Sequence, residues 1–265
     1  MLNRVCDSLQ ARMQNWQAIH YEKTKMGRQL LKYKNIHQGE SCFIIGNGPS
    51  LRAEDLQKLH ENGIVSFGTN RINNVFAQTE WRPTYYASED ITILHDIQQT
   101  VEKIPAKAKF IPINLKWYED INIDSATYFY MDYVGAYSDT FGISLNVPHG
   151  IRCRGTVTMT CIQLAIHMGF SEIYLLGVDH NYSRYTDENG NIVVDPTVKD
   201  YFCDNYDTDF KAQISRDLGS TTKAYLSAEC LSAEVGSFKI FNATRGGKLE
   251  VFQRVDFDSL FGGYV

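Results

Sequence analysis

The stretch Gly46-Asn47-Gly48-Pro49-Ser50 holds the residue types that a phosphate site needs. It follows Phe43-Ile44-Ile45, an apolar run that reads as a buried strand. Leu51, Leu56 and Leu59 come after it at near-helical spacing. A strand end opening onto a helix start gathers backbone N–H groups that suit a phosphate. Gly46 and Gly48 let a ligand come close to the backbone. Pro49 fixes the turn, and Ser50 either caps the helix or offers its hydroxyl. Leu51 stands where the dinucleotide fingerprint has its third glycine, and no Gly-Lys-Ser/Thr is present, so this is no ordinary ATP-binding loop. The same residues also suit a tight turn that binds nothing.

Other polar groups fall where strands run out. Gly63–Thr69 reads as a second strand, and Asn70 follows it as either a ligand group or an Asx-turn. Pro83–Ala87 reads as a third, ending at Ser88-Glu89-Asp90. Glu89 and Asp90 are either first-turn helix acids or groups that touch a ligand's hydroxyls. Gly155-Thr156-Val157-Thr158 opens a helix to about Met168, which Gly169 stops. Ser171–Val178 is then a buried strand ending at Asp179-His180-Asn181-Tyr182. The hydroxyls at that helix start and the acid at that strand end can form the second half of a ligand cleft. Further on, Tyr201-Phe202-Cys203-Asp204-Asn205-Tyr206 brings aromatics and an acid together.

These stretches are spaced by helical runs, one of them reaching Lys103, and by a fourth strand over Ala108–Ile113. The alternation predicts an α/β, Rossmann-like, mostly parallel sheet with helices on both faces. A helix from about Phe210 to Val235 leads to a last strand over Phe238–Phe241. Residues 114–150 are aromatic and acidic, with Trp117, Tyr128, Phe129, Tyr130 and Tyr137. They and residues 183–205 read as lid or acceptor segments, or as ordinary excursions packed on the sheet edge. Within the latter, residues 183–200 read as a mobile loop by composition.

The 265 residues fit one large domain plus an appendage. Residues 1–38 read as an N-terminal amphipathic helical segment and 39–265 as a Rossmann-like nucleotide-binding domain, for which the resemblance given below implies transferase activity. In the appendage Leu2, Val5, Leu9, Met13, Trp16 and Ile19 recur at steps of three and four. Residues 1–35 carry a net charge of +5 within a chain of net −5. Such a helix packs on the body of the protein, forms a homo-oligomer, or lies on an anionic membrane surface. The overall negative charge argues against nucleic acid as partner. The six scattered cysteines have no metal-ligand or redox spacing, and no apolar run spans a bilayer. A cytoplasmic location is the expectation, with the inner face of the membrane as the alternative.

Ile45–Leu51, the unit from Thr156 to Asp179, and the end segment Asn242–Val251 together resemble bacterial family 42 sialyltransferases. They also resemble the broader MptE-like (6-hydroxymethylpterin pyrophosphokinase-like) family, whose bacterial members often belong to surface-polysaccharide systems. The sialyltransferase resemblance implies a nucleotide-sugar donor, CMP-linked, a glycan acceptor, and no metal or other cofactor. It implies that Asn47, Gly48, Pro49 and Ser50 meet the nucleotide and that Asn70 meets nucleotide or sugar. Thr156 and its neighbours Val157 and Thr158 would bind the donor, Asp179 the cytidine side, and Tyr201 the donor phosphate. The family's catalytic histidine lies three residues after that tyrosine; here the position is Asp204. A carboxylate there serves as base if burial raises its pKa, and His180 and His149 are the other candidates. Arg152, Arg154, Arg245 and Lys248 are the candidate phosphate-contacting cations. The other branch implies diphosphate transfer from ATP to a pterin, which wants Mg2+. A nucleotide-binding scaffold without catalysis is the third reading.

Overall fold

The computed structural model describes residues 12–13, 16–133, 142–187, 189–204, 206 and 215–261. Its centre is a sheet of eight strands in the order β13-β12-β8-β1-β2-β3-β4-β5, every pair parallel. The strands are β1 (Ser41–Ile45), β2 (Ser66–Thr69), β3 (Tyr85–Ala87), β4 (Ala108–Pro112), β5 (Ala126–Phe129), β8 (Glu172–Leu176), β12 (Lys239–Asn242) and β13 (Gln253–Arg254). Consecutive residues of β1, β2, β4 and β8 are buried, so both faces of the sheet are covered. Burying the side chains of Phe43, Ile44 and Ile45 stabilises the fold by about 1.5–3 kcal/mol each.

The helices are α1 (Lys25–Leu30), α2 (Ala53–Glu61), α3 (Ile91–Lys103), α4 (Ile113–Tyr118), α5 (Val157–Met168) and α6 (Leu218–Val235). Helix α5 is buried on nearly every side and packs on β1, β2 and β3. Thr156 caps its start and left-handed Gly169 (φ +88°) ends it. The chain runs outward from β1 to β5, then returns through α5 to place β8 on the other flank of β1. The strand order therefore reverses between β1 and β8, where open α/β sheets hold ligands beyond the strands' carboxyl ends.

The described residues of 114–150 supply most of α4, the edge strand β5, and β6 (Met131–Asp132), which pairs with β7 (Ile151–Arg152). Trp117 and Tyr130 pack on the core, while Tyr137 lies outside the described residues. The described residues of 183–200 are not a bare loop. They form a hairpin, β9 (Arg184–Thr186) with β10 (Ile192–Val194), and β11 (Arg216–Asp217) joins β9 in parallel. The helix expected from Phe210 starts at Leu218; Phe210 itself lies outside the described residues.

The expected positions Leu2, Val5 and Leu9 also lie outside the described residues. From Trp16 onward the appendage is a series of short helical turns folded on the domain. Tyr21 is 1% exposed, donates to the Tyr128 carbonyl at 2.9 Å, and meets the rings of Trp117 and Tyr130. The backbones of Asn35, His37 and Gly39 bond to the end of α5 at His167, Met168 and Gly169. Met13, Trp16 and Ile19 stand exposed. Replacing Tyr21 by Ala is expected to cost about 3 kcal/mol through a lost buried ring. Limited proteolysis should then cut within residues 16–38 at a protease dose that leaves the parent chain intact. Among the described residues no helix is long and apolar enough to cross a membrane.

Candidate active site

The turn after β1 meets the turn after β8. Gly46 N–H donates to the Leu176 carbonyl at 2.8 Å and Gly48 N–H to the Gly177 carbonyl at 2.9 Å. The Asp179 carboxylate accepts from the Ser50 hydroxyl at 2.7 Å and the Ser50 N–H at 3.3 Å. A Cβ on Gly48 would lie 2.0 Å from Asp179 Oδ2. The glycines thus admit a neighbouring strand end and a carboxylate, and these amides are engaged within the protein. The expectation of free amides cradling a phosphate at Gly46–Ser50 is corrected on that ground. Ser50 is not a helix cap: α2 starts at Ala53 behind Arg52, with no side-chain cap.

Asn47 ties this turn to its neighbours. Its amide donates to the Thr69 carbonyl at 3.1 Å and hydroxyl at 2.9 Å, and its own carbonyl accepts from Phe202 N–H. Asn47 Oδ1 is buried with no hydrogen-bond partner. Asn70 adopts φ +50° at the end of β2, and its Oδ1 accepts from the Ser88 hydroxyl at 2.9 Å.

Two adjoining cavities open beyond these strand ends and share Thr156, Thr158, Tyr182 and Tyr201. The inner one, about 50 Å³, is lined also by Gly46, Gly48, Val178, Asp179, His180, Asn181, Asp200 and Tyr225. The outer one, about 300 Å³, adds Asn70, Glu89, Asp90, Val157, Tyr206, Arg216 and Asp217. Thirteen residues expected from the sequence therefore meet in one cleft: Gly46, Gly48, Asn70, Glu89, Asp90, Thr156, Val157, Thr158, Asp179, His180, Asn181, Tyr182 and Tyr201. Ser50 and Ser88 stand behind them and hold Asp179 and Asn70, while Asn47 joins the turn to Thr69 and Phe202. Pro49 does not line the cleft.

Asp204 does not line it either. Its side chain is 94% exposed and pairs with Lys199 at 2.7 Å, which holds its carboxyl below the usual carboxylate range. A base made by burial at that position is corrected accordingly. His149 engages Glu22 at 2.9 Å. The four cations expected at a phosphate lie elsewhere. Arg152 binds Asp132, Arg154 reaches Ser227, Arg245 binds Asp55 and Asp258, and Lys248 lines a separate groove.

The basic side chain lining the cleft is Arg216, which the sequence reading passed over. It donates to the Tyr201 hydroxyl at 2.7 Å and lies over the Tyr182 ring. Tyr206, from the same aromatic stretch, stacks on Tyr201 with ring centroids 3.8 Å apart. Most of the cleft's acids are turned toward protein donors. Asp90 accepts from Ile93 N–H, Asp217 from Ser220, and Asp200 from Ser183. Glu89 accepts from the Thr160 hydroxyl. Burial pushes Glu89 up to about 7 and Asp179 upward, while it pushes His180 down. The Thr222 hydroxyl donates to the Leu218 carbonyl, so His180 Nε2–H donates to Thr222 at 2.8 Å. That bond places a proton on Nε2, and burial disfavours a second proton on the ring. Among the described residues no group of three or more His, Cys, Asp or Glu could hold a metal ion.

The family model described as 6-hydroxymethylpterin diphosphokinase MptE-like matches residues 14–185. The chain belongs to the MptE-like family. Comparison with curated proteins gives no match. Among solved structures, the chain is similar to the MAf glycosyltransferase from Magnetospirillum magneticum AMB-1, at 17% identity and a TM-score of 0.50. That likeness covers 91% of this chain and 39% of the other, so this MptE-like chain spans about two fifths of that protein. A mammalian sialyltransferase in complex with Gal-beta-1-3GalNAc-ortho-nitrophenol matches at 12% identity and a TM-score of 0.37, over 88% of this chain and 84% of that one. The first likeness shows that this MptE-like chain has a glycosyltransferase-like fold.

Proposed function

We propose that the protein is a transferase that takes a sugar from a nucleotide-activated donor, CMP-linked, and passes it to a glycan acceptor. The reading rests above all on one observation: the cleft at the strand-order reversal joins a helix start, a tyrosine-bound arginine and a buried carboxyl. Thr156 and Thr158 at the start of α5 offer hydroxyls and a positive helix end to a phosphate. Arg216 and Tyr201, which line the same cavity, add charge-assisted donors. The stacked Tyr201 and Tyr206 offer a flat apolar surface to a base or sugar ring. These groups would steady the leaving phosphate as its charge develops. His180 and Glu89 are the cleft's candidates for the acceptor's proton.

Calorimetry with CMP and CMP-N-acetylneuraminic acid tests the reading. Binding with a micromolar-to-millimolar Kd is expected, and Arg216→Ala should weaken it about tenfold through one lost charged hydrogen bond. No heat at millimolar nucleotide would remove the proposal. The family's description favours a second reading, diphosphate transfer from ATP to a hydroxymethylpterin. Loss of ATP that requires both the pterin and Mg2+ would select it over sugar transfer.

A further inference from the structure

Glu89 is held from two helices. Asp90, the next residue, accepts from Ile93 N–H at 3.0 Å and fixes the start of α3. From α5, Thr160, itself 1% exposed, donates its hydroxyl to Glu89 Oε2. Glu89 lines the outer cavity together with Arg216 and Tyr206. His180 by contrast lines the 50 Å³ inner cavity beside Asp179 and donates to Thr222. The 300 Å³ outer cavity is the one with room for a sugar and an incoming hydroxyl.

A glutamine would satisfy the Thr160 hydroxyl equally well and would avoid the cost of burying an acid. The geometry points to Glu89 as the proton acceptor of the transfer, at a position unrelated to the histidine that Asp204 replaces. This inference rests on the nucleotide-sugar reading above. The acceptor oxygen bonds the anomeric carbon while its proton passes to the Glu89 carboxylate. The bond from that carbon to the phosphate oxygen breaks, and its electron pair leaves on the nucleoside monophosphate.

Burial pushes the Glu89 acid up to about 7 and the Asp90 charge adds to the rise, while the Thr160 bond opposes both. Cys161 on α5, Cys153 after β7 and Tyr133 after β6 also interact with it electrostatically. Burial raises the pKa of all three, so they are neutral near pH 7. Among the described residues, Asp90, Arg216 and Asp217 are the other charged side chains lining this cavity. A base with its pKa near the working pH combines proton affinity with a large ionised fraction.

The test is CMP release from CMP-N-acetylneuraminic acid, with lactose or water as acceptor, alongside CMP calorimetry. Glu89→Gln should lower kcat by about 10²–10⁴-fold. Its CMP affinity should stay within about threefold of the parent, which also shows the variant folded. Glu89→Asp should recover part of the rate. The parent's kcat should fall below a pH of about 7, and Thr160→Val should move that limb to higher pH. A Glu89→Gln enzyme that binds CMP and keeps kcat within about threefold, or keeps the same acid limb, overturns the assignment and leaves the donor reading standing. A parent chain that neither binds CMP nor releases it overturns the donor reading itself.

Discussion

Gly46→Ala is expected to lower folding stability by about 3 kcal/mol, among the larger losses a single methyl can cause. The added Cβ would lie 2.4 Å from the Gly177 carbonyl oxygen and 2.8 Å from its carbon, both backbone atoms of the facing turn. No side chain can swing aside to relieve that contact. Relief requires β1 and β8 to part at Ile45 and Leu176, which strains the bonds from Gly46 to Leu176 and from Gly48 to Gly177. Urea unfolding followed by tryptophan fluorescence measures the loss, and an unchanged midpoint would show the two turns to be less tightly joined than described. Gly48→Ala is the instructive companion. Its Cβ would lie 2.0 Å from the end of the Asp179 side chain, which can turn away from Ser50, and 2.8 Å from the Gly177 carbonyl oxygen, a looser backbone contact than the 2.4 Å at Gly46. A smaller loss of stability is expected there, with a greater disturbance of the cleft.

The second large effect is a pH dependence. The folded Glu89 acid keeps its proton up to about 7, against an ordinary 4.5 in the unfolded chain. Stability tied to that proton is fully present below 4.5 and is lost as pH rises through 7. A shift of this size corresponds to about 3 kcal/mol, and partial contact with solvent through the cavity reduces it to about 2 kcal/mol. Glu89→Gln does not titrate. Its stability relative to the parent should therefore improve by about 2 kcal/mol between pH 4 and pH 8. Denaturant titrations of both proteins at the two pH values give the difference directly. The variant that loses most activity is thus expected to gain stability at neutral pH, a trade typical of groups placed for chemistry.

Much of this architecture could be read in the chain because it is written locally. Phe43–Ile45 and Ile173–Leu176 are short apolar runs that end in glycine, and Thr156 and Gly169 bracket α5 as a cap and a stop. The polar residues beyond those strand ends were therefore assigned to the correct end of the sheet. What was misread depends on partners far away in sequence. The amides of Gly46 and Gly48 look open until Leu176 and Gly177 are placed beside them, and Ser50 looks like a cap until Asp179 arrives. Arg216 enters the cleft because β11 pairs with β9, a contact across 30 residues that two-residue strands do not announce. The β9–β10 hairpin did carry a signal that was read as loop: Asp187 accepts from the amides of Asn189 and Asn191, and Gly190 has φ +84°. Asp204 was assigned by its distance from Tyr201 along the chain, and that distance carries no information on burial.

The late arrival of β8 beside β1 has a consequence for biosynthesis. As the chain leaves the ribosome, β2 can settle on β1 within some 25 residues, and β3, β4 and β5 follow in turn. The other flank of β1 waits until Leu176 has been made, a delay on the order of ten seconds at usual elongation rates. During that interval the nascent protein carries an apolar strand, Phe43–Ile45, with backbone groups open to any passing chain. Holdase chaperones would engage it in that window, and faster translation of residues 46–176 would shorten their time on it.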